Sequence, residues 1–553
     1  MLSNFDWIII GFYFLILLSI VFFASRNQKT STDYFLAGRN VGFFAIGASI
    51  FASNIGSEHI IGLAGQGAST GLAMAHYELH AWIVVLLAWI FVPFYYRSKV
   101  FTMPEFLEKR FGQEPRWILS IVSLTAYVLT KVSVTVYAGA LVFETLLPDT
   151  FGSPENAFWI GAISTVTLTG LYTIAGGLRA VLFTDSLQAT ILILGSCAIT
   201  YFGLEKLGGF NELQTFASQN VAQYALWRPL SDPNFPWLGI LIASPIVGIW
   251  YWCTDQYIVQ RTLAAKNLKA ARRGALWGAF LKIWPVLIFL IPGLIGAALN
   301  DKGLLNISTN TDGSLIGDHV FPSMVATLLP EGLRGLVVAG ILAALMSSLS
   351  SLFNSTATLF TFDVYKKLRP MVTDAKLIVI GRIATLVIVI LGLLWIPIMP
   401  MISKGGLYQY LQSVQSYLAP PITAVFLLGL FNNRINNQGA TWGLSIGFIL
   451  GMLKLVIQAF FGAEKLSNPT ILSMIGDFNF LYFSGVLFLI SVVIIILVSY
   501  KTSPPDQQKI HGLTFSTIDH EVIRSSWNTK DVVATIIILG LVATLYIYFS
   551  FWI

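Results

Sequence analysis

About fourteen predominantly apolar stretches, each long enough to cross a lipid bilayer, follow one another along the chain. A bilayer core takes roughly 20 apolar residues in helical conformation. Because helices satisfy their own backbone polar groups in lipid, these stretches predict an all-α integral membrane protein. The composition agrees, since 11% of the 553 residues are charged, against about 25% in ordinary soluble proteins. The predicted spans are 6–25, 42–70, 77–97, 116–146, 156–176, 180–204, 236–262, 271–298, 333–363, 376–401, 406–430, 437–462, 478–500 and 530–552.

The distribution of basic residues predicts how the spans are oriented. Roughly 23 of the 33 Lys and Arg residues fall in alternate connections, beginning with the one after the first span. Positive charge accumulates in cytoplasmic loops, so we expect both termini outside a plasma membrane or bacterial inner membrane. Asp6 precedes the first span while Arg26 and Lys29 follow it, which favours a retained span over a signal peptide. The net charge of +6 therefore reflects topology, and no nucleic-acid partner is expected.

Polar residues interrupt the second predicted span near its middle. Residues 51–59 read Phe-Ala-Ser-Asn-Ile-Gly-Ser-Glu-His. An unpaired polar group in hydrocarbon costs several kcal/mol, so these groups must face protein or a water-filled cavity. In secondary transporters, such a break presents backbone carbonyls and side chains to an ion and a substrate. A helix kinked only for packing is the alternative interpretation.

The seventh predicted span carries a comparable interruption, with Pro245, Gly248 and the polar end of the run 250–256. It lies five spans after the second and runs in the opposite direction. Interrupted helices at matching positions in oppositely oriented halves indicate an inverted-repeat transporter. We therefore expect one transmembrane transporter domain over 1–553, divided into a peripheral first helix and inner loop, two repeats and peripheral C-terminal helices at 1–40, 41–204, 236–431 and 432–553.

Ionisable residues within predicted spans are candidates for function, because a charge at the bilayer centre costs at least about 2.5–3.5 kcal/mol. Glu78 and Lys282 would pair if their helices adjoin, and would then offer an acceptor and a donor to a hydroxylated solute. A purely structural ion pair explains these two residues equally well. Asp185 either binds a cation on the cytoplasmic side or anchors its helix near water. The other residues of this class are Glu58, His59, Lys131, Asp255, Arg382 and Lys454.

The ninth predicted span carries polar side chains spaced i, i+3, i+4 and i+7, which places them on one helix face. Small residues and serines suit close helix packing. Hydroxyl and carbonyl oxygens also replace the water shell of a monovalent cation. Carbonyls freed by a break at Ala52 and Ile55 would complete such a cage. The polar residues in question are Ser347, Ser350, Ser351 and Asn354.

The sequence carries no Walker A pattern, so ATP is not the expected energy source. It presents no nucleophile–base arrangement and no metal-ligand spacing, which argues against an enzyme. Three classes remain: a secondary symporter, a ligand-gated sensor or channel, and a proton-coupled transporter that uses Asp185, Glu78 or His59. The serine cage favours sodium over protons, because a proton site requires a titratable group.

Long motifs recur in order along the chain: Ala52–Ser57, Tyr172–Leu178, Thr184–Gln188, Trp250–Gln256, Gln260–Leu263, Ser347–Thr361 and Pro420–Phe431. In these motifs the chain resembles the sodium/glucose cotransporters of the solute:sodium symporter family, over essentially its whole length. The resemblance implies a LeuT-like five-plus-five inverted repeat with about fourteen transmembrane helices. It also implies sodium-coupled import of a glucose- or galactose-like hexose by alternating access, by a monomer or weak dimer.

The resemblance also assigns site residues. The sodium site maps onto the carbonyls of Ala52, Ile55 and Ala344 and the hydroxyls of Ser347 and Ser348. Tyr251 corresponds to an inner gate under the sugar, Leu63 and Tyr408 to an outer lid, and Tyr127 and Lys131 to residues flanking the cavity. The sugar-contacting positions map onto Asn54, His59, Glu78, Tyr251, Trp252, Lys282 and Gln412.

Several positions depart from the family pattern and bear on specificity. Gly248 stands where relatives place a polar side chain that reaches the sugar, Tyr408 replaces Phe, and Gln415 replaces a smaller residue. A gained or lost buried hydrogen bond changes selectivity substantially. The alternative cargo is therefore myo-inositol or another polar solute. Ser350 adds a hydroxyl that, with Asp185, predicts a second sodium site.

Overall fold

The computed structural model describes residues 2–26, 28–148, 150–310, 313–395, 397, 407–461, 470–518 and 520–553. Regular structure in these ranges is helical, and extended pairing consists of three isolated bridges. Eleven helices in these ranges are long and apolar enough to cross a membrane. They are Asn4–Ala24, Glu58–Ser98, Pro154–Leu207, Trp237–Thr254, Leu268–Asp301, Leu333–Leu368, Asp374–Leu394, Leu411–Phe431, Asn437–Phe461, Phe480–Lys501 and Thr529–Ser550.

Shorter helices complete the predicted spans or connect them. Phe43–Asn54 and Ser133–Leu146 are apolar and occupy parts of the second and fourth predicted spans. Two of the eleven long helices, Glu58–Ser98 and Pro154–Leu207, each extend over parts of two predicted spans, and the total of fourteen stays a prediction. The other helices of six or more residues are Ser31–Leu36, Met103–Arg110, Gln113–Ala126, Tyr127–Val132, Phe210–Ser218, Gln256–Leu263, Val320–Leu328, Ile471–Asp477 and His520–Ser525.

The longest helix, Pro154–Leu207, turns sharply at Gly177. Gly177 has φ +52°, in the left-handed region that glycine adopts without a Cβ clash. A Cβ there would stand 2.5 Å from the Tyr34 carbonyl oxygen. The backbone of the connection after the first span therefore packs directly against this bend, which separates the predicted fifth and sixth spans.

The break in the second predicted span is present. Phe43–Asn54 is helical, Ile55 leaves helical geometry with ψ 88°, and the helix resumes at Ser57 and continues to Thr70. We call residues 43–70 the first broken helix. Since an α-helix leaves its last four carbonyls without intrahelical partners, this break frees carbonyls in the interior of the protein.

The second interruption lies at Asp255, which has ψ 129° and separates Trp237–Thr254 from Gln256–Leu263. The Asp255 carboxylate caps the following helix by accepting from the Tyr257 backbone N–H. Pro245, by contrast, lies inside the helix Trp237–Ile249 and does not end it. We call residues 237–263 the second broken helix.

The polar-faced ninth span is the helix Leu333–Leu359, which we call the serine helix. It packs along Pro154–Leu207 and against the first broken helix, and its residues from Val337 to Leu359 are buried. The site of interest therefore forms where the serine helix and the two broken helices meet.

One connection differs from expectation. A short helix on the surface is predicted within 319–329, and the structure has the helix Val320–Leu328. Its apolar side is nevertheless buried, and Met324 contacts the helices that carry Gly203 and Gly296. Its burial follows from the close approach that these two glycines allow.

Candidate substrate and sodium sites

A cavity lies between the two broken helices, and residues of both helices line it. Nine predicted substrate-binding residues line it: Asn54, His59, Glu78, Lys131, Tyr251, Trp252, Lys282, Tyr408 and Gln412. Leu63 and Tyr127 are buried but do not belong to the lining. Their roles as lid and flanking residue stay predictions.

A buried ion pair crosses one side of the cavity. Lys282 Nζ lies 2.5 Å from Glu78 Oε2, and both side chains are almost completely buried. The second carboxylate oxygen, Oε1, accepts from the Tyr408 hydroxyl at 2.5 Å and lies 3.9 Å from His59 Nε2. The predicted pairing of Glu78 and Lys282 is therefore present. It presents an acceptor and donors at the cavity wall.

A second buried ion pair joins Lys131, which lines the cavity, to Asp255. Lys131 Nζ lies 2.5 Å from Asp255 Oδ2, and the Tyr127 hydroxyl donates to Asp255 Oδ1. The Lys131 ammonium also lies 4.6–5.1 Å from the ring centroids of Tyr127, Trp250, Tyr251 and Tyr257. Such aromatic faces stabilise a cation. Because Asp255 occupies the break, this cluster ties the predicted fourth span to the second broken helix.

Several polar atoms at the cavity have no hydrogen-bond partner in the part of the chain that the structure describes. Asn54 donates through Nδ2 to the Tyr251 hydroxyl at 3.2 Å, while its Oδ1 remains unpartnered. Gln412 Oε1, Glu58 Oε2 and His59 Nδ1 are unpartnered in the same sense. Buried polar atoms are nearly always hydrogen-bonded in native proteins. The cavity thus offers mainly acceptors to a polar ligand.

The predicted sodium ligands lie beside this cavity, where the serine helix meets the first broken helix. Ser348 Oγ donates to the Ser53 carbonyl at 3.2 Å, which joins the serine helix to the last turn before the break. Ser347 Oγ donates to Asp185 Oδ1 at 2.7 Å. Ala52, Ile55 and Ala344 are buried at the same junction. Carbonyl and hydroxyl oxygens are the ligands that a hard monovalent cation takes, and the assignment of these five residues to a sodium site stays a prediction.

Asp185 lies at the centre of a buried polar network. It accepts from Ser49 Oγ at 2.5 Å and from Ser53 Oγ at 3.3 Å, in addition to Ser347. Arg261 Nε donates to Ser49 Oγ at 3.4 Å, which brings a second charge into the network. The interpretation of Asp185 as an anchor near water is wrong, because the residue has no exposed surface. The surrounding helices bury it from all sides.

Ser350, the other residue of the predicted second sodium site, donates its hydroxyl to the Ser347 carbonyl at 3.0 Å. It therefore connects to Asp185 through Ser347. The second sodium site stays a prediction.

Some residues of the two sites are not among those predicted from the sequence. His80, Tyr257 and Thr135 line the cavity, and Ser49 and Arg261 complete the network around Asp185. His80 follows Glu78 by two residues, so the rule that points to ionisable residues within spans also identifies it. No sequence pattern points to Ser49, because its role depends on a neighbour 136 residues away.

Comparison with known proteins identifies the chain. Residues 34–447 match the Sodium:solute symporter family. This chain belongs to the sodium:solute symporter family. The predicted family is therefore confirmed, and the protein is a multi-pass membrane transporter coupled to sodium rather than an enzyme.

Similar relatives cover almost all of this symporter. It is 38% identical to sodium/glucose cotransporter 4 of Danio rerio over 541 residues, which cover 93% of this chain and 81% of the relative. It is also 38% identical to the human sodium/myo-inositol cotransporter 2 over 547 residues, which cover 94% and 80%. The two relatives differ in the cargo for which they are named.

Solved structures establish the fold of this symporter. A Na⁺-coupled sialic acid symporter, in its substrate-bound outward-open state, aligns with a TM-score of 0.75 at 23% identity. The alignment covers 91% of this chain and 99% of that chain. A nucleobase-cation-symport-1 family transporter aligns with a TM-score of 0.51 at 14% identity. The predicted LeuT-like all-α fold is therefore confirmed.

Proposed function

We propose that this symporter imports a neutral hexose-like sugar, such as glucose or galactose, together with sodium by alternating access. The observation that carries the proposal is the composition of the cavity wall. The Glu78–Lys282 pair supplies both acceptor and donor, and unpartnered Asn54 and Gln412 oxygens accept hydroxyl protons. Trp252 and Tyr251 supply apolar faces for the ring of a sugar.

The pairing of charges within the wall favours a neutral substrate over an anion. Lys282 is neutralised by Glu78, and Lys131 by Asp255, at 2.5 Å in each case. An anionic solute would require a cation free of a carboxylate partner. A cyclic polyol instead uses the mixture of donors and acceptors without burying a net charge.

Myo-inositol is the second candidate cargo. It carries hydroxyls around a six-membered ring, as a hexose does, and the human relative is named for it. Gly248, Tyr408 and Gln415 lie in the cavity wall, so the departures from the family pattern occur where they affect recognition.

The proposed sodium site consists of the Ala52, Ile55 and Ala344 carbonyls with the Ser347 and Ser348 hydroxyls. Its connection to the substrate site is short, because Asn54 lines the cavity while Ser53 accepts from Ser348. Sodium bound at the break would hold the first broken helix in the geometry that presents Asn54 to the sugar. Each ligand would then strengthen binding of the other. Each sodium ion that enters contributes about 2.3 kcal/mol per 100 mV of membrane potential.

Uptake into proteoliposomes tests this proposal. Labelled glucose, galactose and myo-inositol are offered separately with an inward sodium gradient, and with choline in its place. We expect sodium-dependent accumulation of one of these solutes, abolished by Gln412→Ala and by Ser348→Ala. Ser19→Ala is the matched control, because Ser19 makes only a local bond to the Leu15 carbonyl on an exposed helix face. Transport that persists without sodium, or sugar-evoked current without accumulation, contradicts the proposal.

The second sodium ion at Asp185 and Ser350 is a separate part of the proposal. Two ions per cycle give two charges per sugar molecule, whereas one ion gives one. Simultaneous recording of current and tracer flux measures this ratio. A ratio near one removes the second site and leaves the first intact.

We further propose the plasma or bacterial inner membrane as the location, with both termini outside and a monomer or weak dimer as the working form. The repeat boundaries proposed are 41–204 and 236–431. Labelling of single cysteines placed at either terminus, with a reagent that does not cross membranes, tests the orientation.

A further inference from the structure

His80 lines the cavity, and no role has been assigned to it above. It follows the helical turn that carries Glu78 and is 3% exposed. A buried imidazole requires partners for both ring nitrogens. Among the residues that the structure describes, the hydrogen-bond partner of His80 is Ser244 Oγ, which lies 2.6 Å from Nε2.

The bonds around Ser244 favour one tautomer of His80. Ser244 Oγ lies 3.3 Å from the His76 carbonyl oxygen and can donate its single proton to it. In that arrangement the same oxygen accepts from His80 at 2.6 Å, and the imidazole N–H lies on Nε2. A neutral imidazole carries one N–H, so Nδ1 then has a lone pair and acts as a hydrogen-bond acceptor.

The missing side chain at Gly248 leaves room for this nitrogen. A Cβ at position 248 would lie 3.0 Å from His80 Nδ1 and 2.9 Å from His80 Cε1. Both distances are shorter than ordinary carbon contacts, and Ile83 would also have to move. Gly248 lines the cavity as well, so Nδ1 lies at the cavity wall.

We propose that His80 Nδ1 accepts a hydrogen bond from one hydroxyl of the transported polyol and determines which hydroxyl pattern is selected. Ser244 is a positioning residue that holds the tautomer, and Gly248 provides the space. This inference rests on the proposed function, because it requires a neutral polyol in the cavity.

Analogues of the substrate provide the test, because a structural role for His80 does not distinguish one hydroxyl from another. Sodium-dependent uptake is measured for the transported polyol and for its monodeoxy and deoxyfluoro analogues. In the wild type, removal of the hydroxyl at one ring position should weaken the apparent affinity about 10-fold, equivalent to about 1.4 kcal/mol. Fluorine should not rescue that position, because the contact requires an O–H donor.

His80→Ala should weaken affinity for the parent polyol about 10-fold and remove the discrimination at that single position, while discrimination at other positions remains. Ser244→Ala should reduce the same discrimination, although Ser244 does not contact the ligand, because it removes the hydroxyl that positions His80. His76→Ala is the matched control: His76 is buried on the preceding turn, bonds the Leu226 carbonyl and lies outside the cavity lining. His76→Ala should discriminate among the analogues as the wild type does.

Gly248→Ser keeps the inference testable if His80→Ala does not reach the membrane. Its Cβ should displace the imidazole and lower uptake, whereas Gly248→Ser combined with His80→Ala should recover part of it. Wild-type uptake with unchanged discrimination in both His80→Ala and Ser244→Ala overturns the role of His80. Absence of sodium-dependent uptake of any polyol by the wild type overturns the proposed function instead.

Discussion

Breaking the buried Glu78–Lys282 pair should destabilise the protein far more than removing both charges. Lys282→Met keeps the side-chain length and leaves a buried carboxylate without its cation. Removal of one partner from such a pair costs about 3–5 kcal/mol, whereas replacement of both partners is often nearly neutral. Because Tyr408 still donates to Glu78 at 2.5 Å, we expect the lower end, about 3 kcal/mol. Glu78→Gln combined with Lys282→Met should recover most of that loss.

The free energy of unfolding in detergent, measured for each variant relative to the wild type, provides the readout. The Lys302–Glu212 pair is a matched control, because its Nζ–Oε2 distance is also 2.5 Å but its side chains are 37% and 49% exposed. Lys302→Met should cost at most about 1 kcal/mol, since solvent screens an exposed pair. Additive losses in the double variant would refute the coupling between Glu78 and Lys282. Equal losses for Lys302→Met and Lys282→Met would refute the role of burial.

Three further predictions concern other parts of the molecule. Tyr251→Phe removes the hydroxyl that accepts from Asn54 and should raise the KM for sugar uptake roughly 3- to 10-fold, as expected for one hydrogen bond. An unchanged KM would contradict a contribution of the Asn54–Tyr251 hydrogen bond to sugar binding. Gly177→Ala should lower the melting temperature, because a side chain is strained at the φ of +52° found there, whereas Gly540→Ala, with open space around the added Cβ, should not. Equal melting temperatures of the two variants would contradict backbone strain at position 177. Burial raises the pKa of Glu108, but hydrogen bonds from lysine and arginine side chains outweigh it and hold that pKa below its usual value. The stability advantage over Glu108→Gln should therefore be present above about pH 4.3 and shrink as the pH falls further; a pH-independent difference contradicts it.

The broken helices illustrate how far local sequence predicts structure. Polar residues and a glycine within an apolar run predict a break near residues 52–56, and the helix does end at Asn54. In the second broken helix, the same reasoning includes Pro245, yet the break lies ten residues later, at Asp255. A proline inside a helix removes one hydrogen bond, and packed neighbours accommodate that loss. The first part of the broken helix ends instead at Asp255, whose carboxylate caps the helix that follows.

The candidate site likewise contains residues that the sequence identifies and contacts that only the tertiary structure defines. Nine of the eleven substrate-binding residues that the family resemblance implies line the cavity. Four of the nine were also identified as ionisable residues that lipid does not tolerate within a span, namely His59, Glu78, Lys131 and Lys282. The proposed acceptor role of His80 was not predictable from the sequence, because it depends on the contacts of Ser244 with His80 and with the His76 carbonyl. Asp185 likewise has two interpretations in the sequence, and only the helices packed around it distinguish a buried network from an anchor near water.

The sequence by itself determined the membrane class, the helical structure and the position of the first break. These properties follow from the length and polarity of single segments, since a bilayer imposes the same requirement on each segment separately. Tertiary structure decided which charges pair and which atoms remain unpartnered. Glu78 and Lys282 are 204 residues apart, and their 2.5 Å contact depends on how whole helices pack. The donor–acceptor distance of a hydrogen bond varies by only a few tenths of an ångström, and no local sequence pattern specifies distances of that precision between remote segments.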